Sequence, residues 1–200
     1  WAIMHDGPIL FPLLIAGLFG ALIGSFLNVC IYRLPRLESI AWPGSHCPRC
    51  THPIAWYDNI PIVSYVVLAG QCRHCGVRIP FRYPMVEILN ALGYVGLFWF
   101  FGPSWATAAY GVLYSALLVV AGTDLSHKII PNAVTFPGII VGLVCAATVL
   151  PLGSLDSILG VLVGGGILWL LAWASPYLFG KEGMGGGDIK LLAMIGAFLG

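Results

Sequence analysis

Two aspartates stand where apolar runs end, and carboxylates in that setting can do acid–base chemistry. Asp188 follows a glycine run in Gly183-Met184-Gly185-Gly186-Gly187-Asp188-Ile189-Lys190, between two long apolar stretches. Glycine is costly inside a helix, so this run points to a close backbone approach and a sharp turn into a new helix. An ionisable residue at the edge of a membrane span is a functional candidate. The plainer reading makes Asp188 the N-cap of the next helix. Asp124, in Ala121-Gly122-Thr123-Asp124-Leu125-Ser126-His127, also closes an apolar run. Peptide hydrolysis by carboxylates needs two such groups at one boundary. One, ionised, takes a proton from water, and its protonated neighbour polarises the scissile carbonyl. Close carboxylates cannot both ionise, so the pair would share one proton.

A second constellation is Cys47-Pro48-Arg49-Cys50 with Cys72-Arg73-His74-Cys75. Two Cys-x-x-Cys turns present four thiolates tetrahedrally, as structural zinc demands. Gly76 can supply the positive φ that a knuckle turn often uses. His46, His52 and His74 are alternative ligands, and four reduced, unliganded thiols are the plain alternative. Two further acids have ordinary explanations beside functional ones. Glu87 falls in the first turn of a helix, where it complements the dipole. Asp58-Asn59 before Ile60-Pro61 is turn chemistry.

The elements that must position these groups are membrane spans. The chain of 200 residues is 59% hydrophobic and 8% charged, against about 25% charged in a typical soluble domain. A net charge of +1 gives no nucleic-acid footprint. The apolar runs predict spans at Pro8 to about Tyr32, Met85–Phe101, Trp105–Gly122, Val134–Leu150 and Leu155–Phe179, with a sixth beginning near Asp188. Gly17, Gly20 and Gly24 suit close helix packing in lipid. The layout expected is a first transmembrane helix in 1–32, a zinc-ribbon-like loop domain in 33–82 and further transmembrane helices in 83–200.

All nine Lys and Arg residues fall in loops that share one side by span counting, which makes that side cytoplasmic. Asp124, Asp188, His46, His127 and Glu182 belong there, with Asp6 and Asp156 outside. A disulfide reading of the cysteines is therefore poor. The fold class is an all-α polytopic membrane protein: a bundle of at least six transmembrane helices with a small cytoplasmic zinc-binding loop domain. The chain begins without Met and stops inside an apolar run, so both ends are expected to be trimmed.

Gly185-Gly186-Gly187-Asp188 fits the Gly-x-Gly-Asp signature of membrane aspartyl peptidases. The longer strings Gly-Met-Gly-Gly-Gly-Asp-Ile-Lys and Asp124…Ile130-Pro131-Asn132 resemble the type IV prepilin peptidases. So do Pro43-Gly44-Ser45-His46-Cys47-Pro48-Arg49-Cys50, Tyr57-Asp58-Asn59-Ile60-Pro61 and Arg82-Tyr83-Pro84-Met85-Val86-Glu87. The likeness runs from about Gly24 to the last residue. Before Cys72 that family often has Arg-Gly-Lys, where this chain has Ala69-Gly70-Gln71.

The resemblance implies an aspartic endopeptidase of the bacterial inner membrane, with Asp124 and Asp188 as the catalytic pair. It would remove the basic leader of type IV prepilins or type II pseudopilins on the cytoplasmic side. It would also N-methylate the new N-terminus from S-adenosylmethionine, an activity associated with the cysteine loop and Glu87, with Asp58 the other candidate. Zinc on Cys47, Cys50, Cys72 and Cys75 would be structural, and further spans would follow Gly200. The competing class is a non-catalytic zinc-bearing scaffold of a secretion or pilus machine, which leaves the aspartates unexplained. A transporter would want acids deeper in its spans.

Overall fold

A computed structural model of the chain describes residues 9–179 and 185–200. Asp6, Glu182 and the Gly183-Met184 start of the glycine run lie outside the described residues. Among the described residues the long elements are all helical, and the strand-like pairings are two isolated bridges, His46 with Pro53 and Gln71 with Arg78. The chain forms two units, 1–102 and 103–200.

The first unit holds α1 (Leu10–Arg33), a short α2 (Val63–Val67) in the polar loop, and α3 (Arg82–Phe101). Without a hydrophobic drive between helices in lipid, α1 and α3 must associate through close packing and hydrogen bonds. Small residues permit this. A Cβ on Gly20 would stand 2.9 Å from Ala91 Cα, and one on Gly24 would stand 2.8 Å from Glu87 Cα. Asn90, fully buried, donates to the Gly20 carbonyl at 2.7 Å, and Asn28 donates to the Tyr83 carbonyl at 3.0 Å. Helix α3 starts three residues earlier than its apolar run, and Pro84 lies in its first turn, where a missing N–H is harmless. The loop is tied to the end of α1 by Arg33, a buried residue whose guanidinium donates to the carbonyls of Ser39 and Gly44.

The second unit holds α4 (Trp105–His127), α5 (Asn132–Thr148), α6 (Ser154–Phe179) and α7 (Gly186–Leu199). Helix α4 opens on an N-cap, Ser104 Oγ accepting from the Thr107 N–H at 3.2 Å. It runs beyond Gly122, where the apolar pattern ends, to His127. The Thr123 hydroxyl folds back onto the Val119 and Val120 carbonyls, and Lys128 closes the helix in the left-handed region. Helix α7 lies parallel to α5, with Gly138 against Met194 and Gly142 against Ala197, and antiparallel to α6, where Gly160 meets Gly196 backbone to backbone and Gly164 meets Leu192. Ser157 secures the second pairing by donating to the Ala197 carbonyl at 2.6 Å. The core of this unit joins Ala109, Leu113, Ala146, Leu150, Met194 and Phe198, so α7 supplies its two largest fully buried side chains.

Helices α1, α3, α4 and α6 are long and apolar enough to cross a membrane, and α5 is a shorter apolar helix. The protein is an all-helical, multi-pass membrane protein. Helix α5 carries Pro137 within it and has 17 residues, roughly 25 Å at 1.5 Å per residue, somewhat under the roughly 30 Å of a bilayer core.

Candidate functional site

Both aspartates belong to the second unit and lie at one end of it. Asp124 is in the last turn of α4, where its carbonyl accepts the N–H of the terminating residue Lys128 at 2.8 Å. Asp188 is in the first turn of α7. The link between these turns is the segment from α4 to α5. A Cβ on Gly187 would stand 2.9 Å from Ile130 Cβ, and Lys190 Nζ donates to Asn132 Oδ1 at 2.8 Å. The first turn of α7 is thus docked on residues that follow Asp124 by six to eight positions. Lys190 is held there by Asn132 and by the Phe136 ring, 5.2 Å away, and does not simply snorkel toward headgroups.

The cap reading of Asp188 does not fit this geometry. Gly185 is the N-cap, with no side-chain cap, and Asp188 comes three residues later, where it complements the helix dipole. Neither carboxylate has a hydrogen-bond or ion-pair partner among the described residues. Asp188 is exposed and Asp124 half-buried, as polar chemistry with water requires. His127, one turn beyond Asp124, has a buried Nδ1 without a partner among the described residues.

The docking also explains the spacing of Gly-x-Gly-Asp. A Cβ on Gly186 would meet nothing within 4 Å, whereas one on Gly187 would collide with Ile130. The variable position has room, and the second fixed glycine does not.

The four cysteines of the loop converge. The sulfurs of Cys47, Cys50, Cys72 and Cys75 all lie within 4.8 Å of one another, with Cys47 and Cys75 3.8 Å apart. Zinc–sulfur bonds of about 2.3 Å place tetrahedral ligands about 3.8 Å from each other. The separation is far beyond a disulfide's length of about 2.05 Å. The donor set therefore fits zinc, and no histidine joins it. The two turns are built alike. Cys47 N–H donates to the His52 carbonyl and Cys72 N–H to the Val77 carbonyl; Thr51 N–H returns to Cys47 and Gly76 N–H to Cys72. Gly76 has the expected positive φ of 66°, but its counterpart is Thr51, at 57°. The sulfurs are not equivalent as acids. The amide of Cys50, then that of Arg49, and the neighbouring thiols hold Cys47 down at about 6, against its partial burial. Cys75 is pushed up to about 11: the Val77 amide pulls it down, but partial desolvation and the three neighbouring sulfurs outweigh it.

Asp58 and Glu87 both have structural work. Arg73, inside the second cysteine turn, grips Asp58 in a two-pronged ion pair of 2.8 and 2.6 Å, which holds the Asp58 carboxyl below the usual carboxylate range. Glu87 is buried and accepts the Ile62 N–H at 2.7 Å. Both also line one cavity of about 350 Å³ between α1, α3 and the loop. Asn28, not among the candidate residues named from the sequence, lines it too. The signal that could have found it is an amide in a long apolar run, which must be satisfied by something specific.

Comparison with known proteins divides the chain as the two units do. Residues 18–101 match the family model described as the bacterial peptidase A24 N-terminal domain, and residues 111–200 match the type IV leader peptidase family. A prepilin leader peptidase/N-methyltransferase of Myxococcus xanthus is 42% identical over 193 residues, covering 94% of this chain and 57% of the relative. Proteins with the same description from Aeromonas salmonicida and Neisseria gonorrhoeae are 40% and 36% identical, over 92% and 98% of this chain and 72% and 78% of theirs. The chain thus spans little more than half of the first relative's length. No solved structure matches.

Proposed function

This chain belongs to the type IV leader peptidase family, and from that premise we propose that it is a membrane aspartic endopeptidase acting through Asp124 and Asp188. Its substrates are type IV prepilins or type II pseudopilins, whose basic leader it removes at the cytoplasmic face of the bacterial inner membrane. One carboxylate takes a proton from water, and the water oxygen bonds to the scissile carbonyl carbon. The other carboxyl, protonated, donates to the carbonyl oxygen, and the carbon–nitrogen bond then breaks as a proton passes to the leaving amine.

The observation that carries this reading is the seating of Gly187 against Ile130 and of Lys190 against Asn132, just past the turn that bears Asp124. An amphipathic substrate helix could enter from the bilayer while its charged leader stays in water. The cytoplasmic assignment rests on charge: Lys128 and Lys190 are at the aspartate end of the second unit, and the opposite end has no Lys or Arg.

Two bound groups complete the proposal. Cys47, Cys50, Cys72 and Cys75 hold zinc, which supplies folding energy to a loop with little core of its own. S-adenosylmethionine supplies a methyl group for the new pilin N-terminus. The test is incubation of the purified protein with a prepilin, followed by mass spectrometry of the pilin. The expected product lacks its leader and is heavier by one methyl. An intact prepilin would refute the peptidase assignment.

A further inference from the structure

Arg33 carries a charge that the fold buries without an answering acid. The residue is 6% exposed, and its guanidinium donates to two carbonyls, Ser39 at 2.8 Å and Gly44 at 3.2 Å. A guanidinium has five N–H donors and stays charged at every ordinary pH, so the other donors are left for a further acceptor. Carbonyls supply dipoles, not a negative charge. The ion pair of this unit joins Asp58 to Arg73, and no carboxylate comes within ion-pair distance of Arg33 among the described residues. Burying a charge is costly unless it is paired.

Arg33 lines a cavity of about 280 Å³ between α1 and the 40–45 segment of the loop. No cysteine lines this space among the described residues, and Arg33 is its one charged side chain there, with Ser45 and Asn59 adding neutral polar groups. The volume falls just under the range of small-molecule sites, which begins at about 300 Å³. It suits a headgroup, not a whole lipid.

Helix α1 contributes one stripe to the cavity wall. Leu22, Phe26, Val29 and Arg33 line it, and they follow one another at the spacing of a single helix face. Gly20 and Gly24 mark the face that packs on α3, and residues two positions on lie about 200° around the helix. The stripe is therefore turned away from α3, and Leu22 and Phe26 on it are exposed. From Leu22 to Arg33 it rises roughly 16 Å. The apolar span that contains it runs to Arg36, so the stripe leads from the headgroup level into the acyl chains. Just beyond the span, Leu37 and Trp42 are 95% and 79% exposed. A headgroup layer accommodates such side chains beside Arg36, and water does not.

We propose that this cavity binds an anionic phospholipid, with Arg33 donating to the headgroup phosphate and the acyl chains lying along Phe26 and Leu22. Arginine holds phosphate through charge-assisted N–H donors of the kind left over here, and basic pockets at the ends of membrane helices take anionic headgroups. The phosphate neutralises the buried charge, and the lipid fastens the cysteine loop to the bilayer surface. A soluble anion would answer the charge but leave the apolar stripe unused.

Native mass spectrometry of the detergent-purified protein, titrated with phosphatidylglycerol and separately with phosphatidylcholine, tests the site. Phosphatidylcholine has the same phosphate and chains but carries its own ammonium charge. The first phosphatidylglycerol should bind about tenfold more tightly than the first phosphatidylcholine or better, and Arg33→Gln should remove that preference. Equal binding of the two lipids, or a preference undiminished in Arg33→Gln, would overturn the proposal. Should Arg33→Gln fail to fold for want of its bonds to Ser39 and Gly44, Ala41→Phe decides. Ala41 is an exposed residue of the cavity wall, so the larger side chain fills the space and leaves Arg33 in place. Phosphatidylglycerol should then bind more weakly by a similar factor, and unaltered binding would refute the site. Inorganic phosphate and glycerol 3-phosphate, each added at the lipid's concentration, should leave phosphatidylglycerol bound. Displacement by either would assign the site to a soluble anion and reject the lipid.

Discussion

Replacing Gly187 by Ala should reduce leader cleavage sharply while destabilising the fold by at most about 2 kcal/mol. The added Cβ would stand 2.9 Å from Ile130 Cβ and 3.3 Å from Ile130 Cδ1, where carbon atoms pack at about 3.5–4.0 Å. Either Ile130 or the first turn of α7 must therefore retreat by roughly 0.6 Å or more. Overpacking of this kind costs about 1–3 kcal/mol. Against it, Ala favours a helix over Gly by about 1 kcal/mol. The net is a loss of about 0–2 kcal/mol, small beside the effect expected on the rate.

Activity has no such compensation. Asp188 is the next residue along the displaced turn, and a misplacement of about 1 Å can cost about 100-fold in rate. Gly186→Ala is the control, because a Cβ there meets nothing within 4 Å. It should gain up to about 1 kcal/mol in stability and cleave normally. The assay is kcat/KM for leader removal beside thermal unfolding in the same detergent. Equal activity of Gly187→Ala and Gly186→Ala would refute the claim that the Ile130 contact sets the position of Asp188.

Asp124→Asn and Asp188→Asn should each lower kcat by about 1,000-fold or more with little change in KM. The double variant should be no worse than either, because groups acting as a unit are not additive. Normal cleavage by a folded single variant would remove that residue from the mechanism. Cys47→Ser or Cys72→Ser should abolish binding of about one zinc per chain and make the loop protease-sensitive, as read by metal analysis and limited proteolysis. Cys47 is held at about 6 against an ordinary 9, so its thiolate's contribution is full above pH 9 and disappears as pH falls through about 6. Stability of the metal-free protein measured across that window should fall on the acid side, and stability indifferent to pH there would contradict the shift. A single cysteine at position 156, at the end of the second unit opposite the aspartates, should be labelled from outside intact cells, and one at position 127 should be spared. The reverse pattern would invert the topology.

The cysteine cluster was legible in the sequence because its thiols come in local pairs. Cys-x-x-Cys turns carry their own geometry, and joining them requires only a loop long enough to return. Helix existence was legible for a similar reason, since apolar length is a one-dimensional property. The aspartates were legible as residues, through their position at the ends of apolar runs and through a short signature.

Other features were decided by tertiary contacts, which composition does not encode. Helix α4 continues past its apolar run to His127, and Lys128 closes it in the left-handed region. Helix α7 starts before Asp188, so the residue that looked like a cap became an ordinary first-turn acid. The roles of Gly186 and Gly187 differ only because Ile130, 57 positions earlier in the numbering, packs beneath one and not the other. Asn28 and Glu87 come to line one chamber because Gly20 and Gly24 let α1 and α3 approach almost to backbone contact. Side-chain type decides what chemistry a residue can perform, and only the packing of helices distant in sequence decides which of those side chains meet.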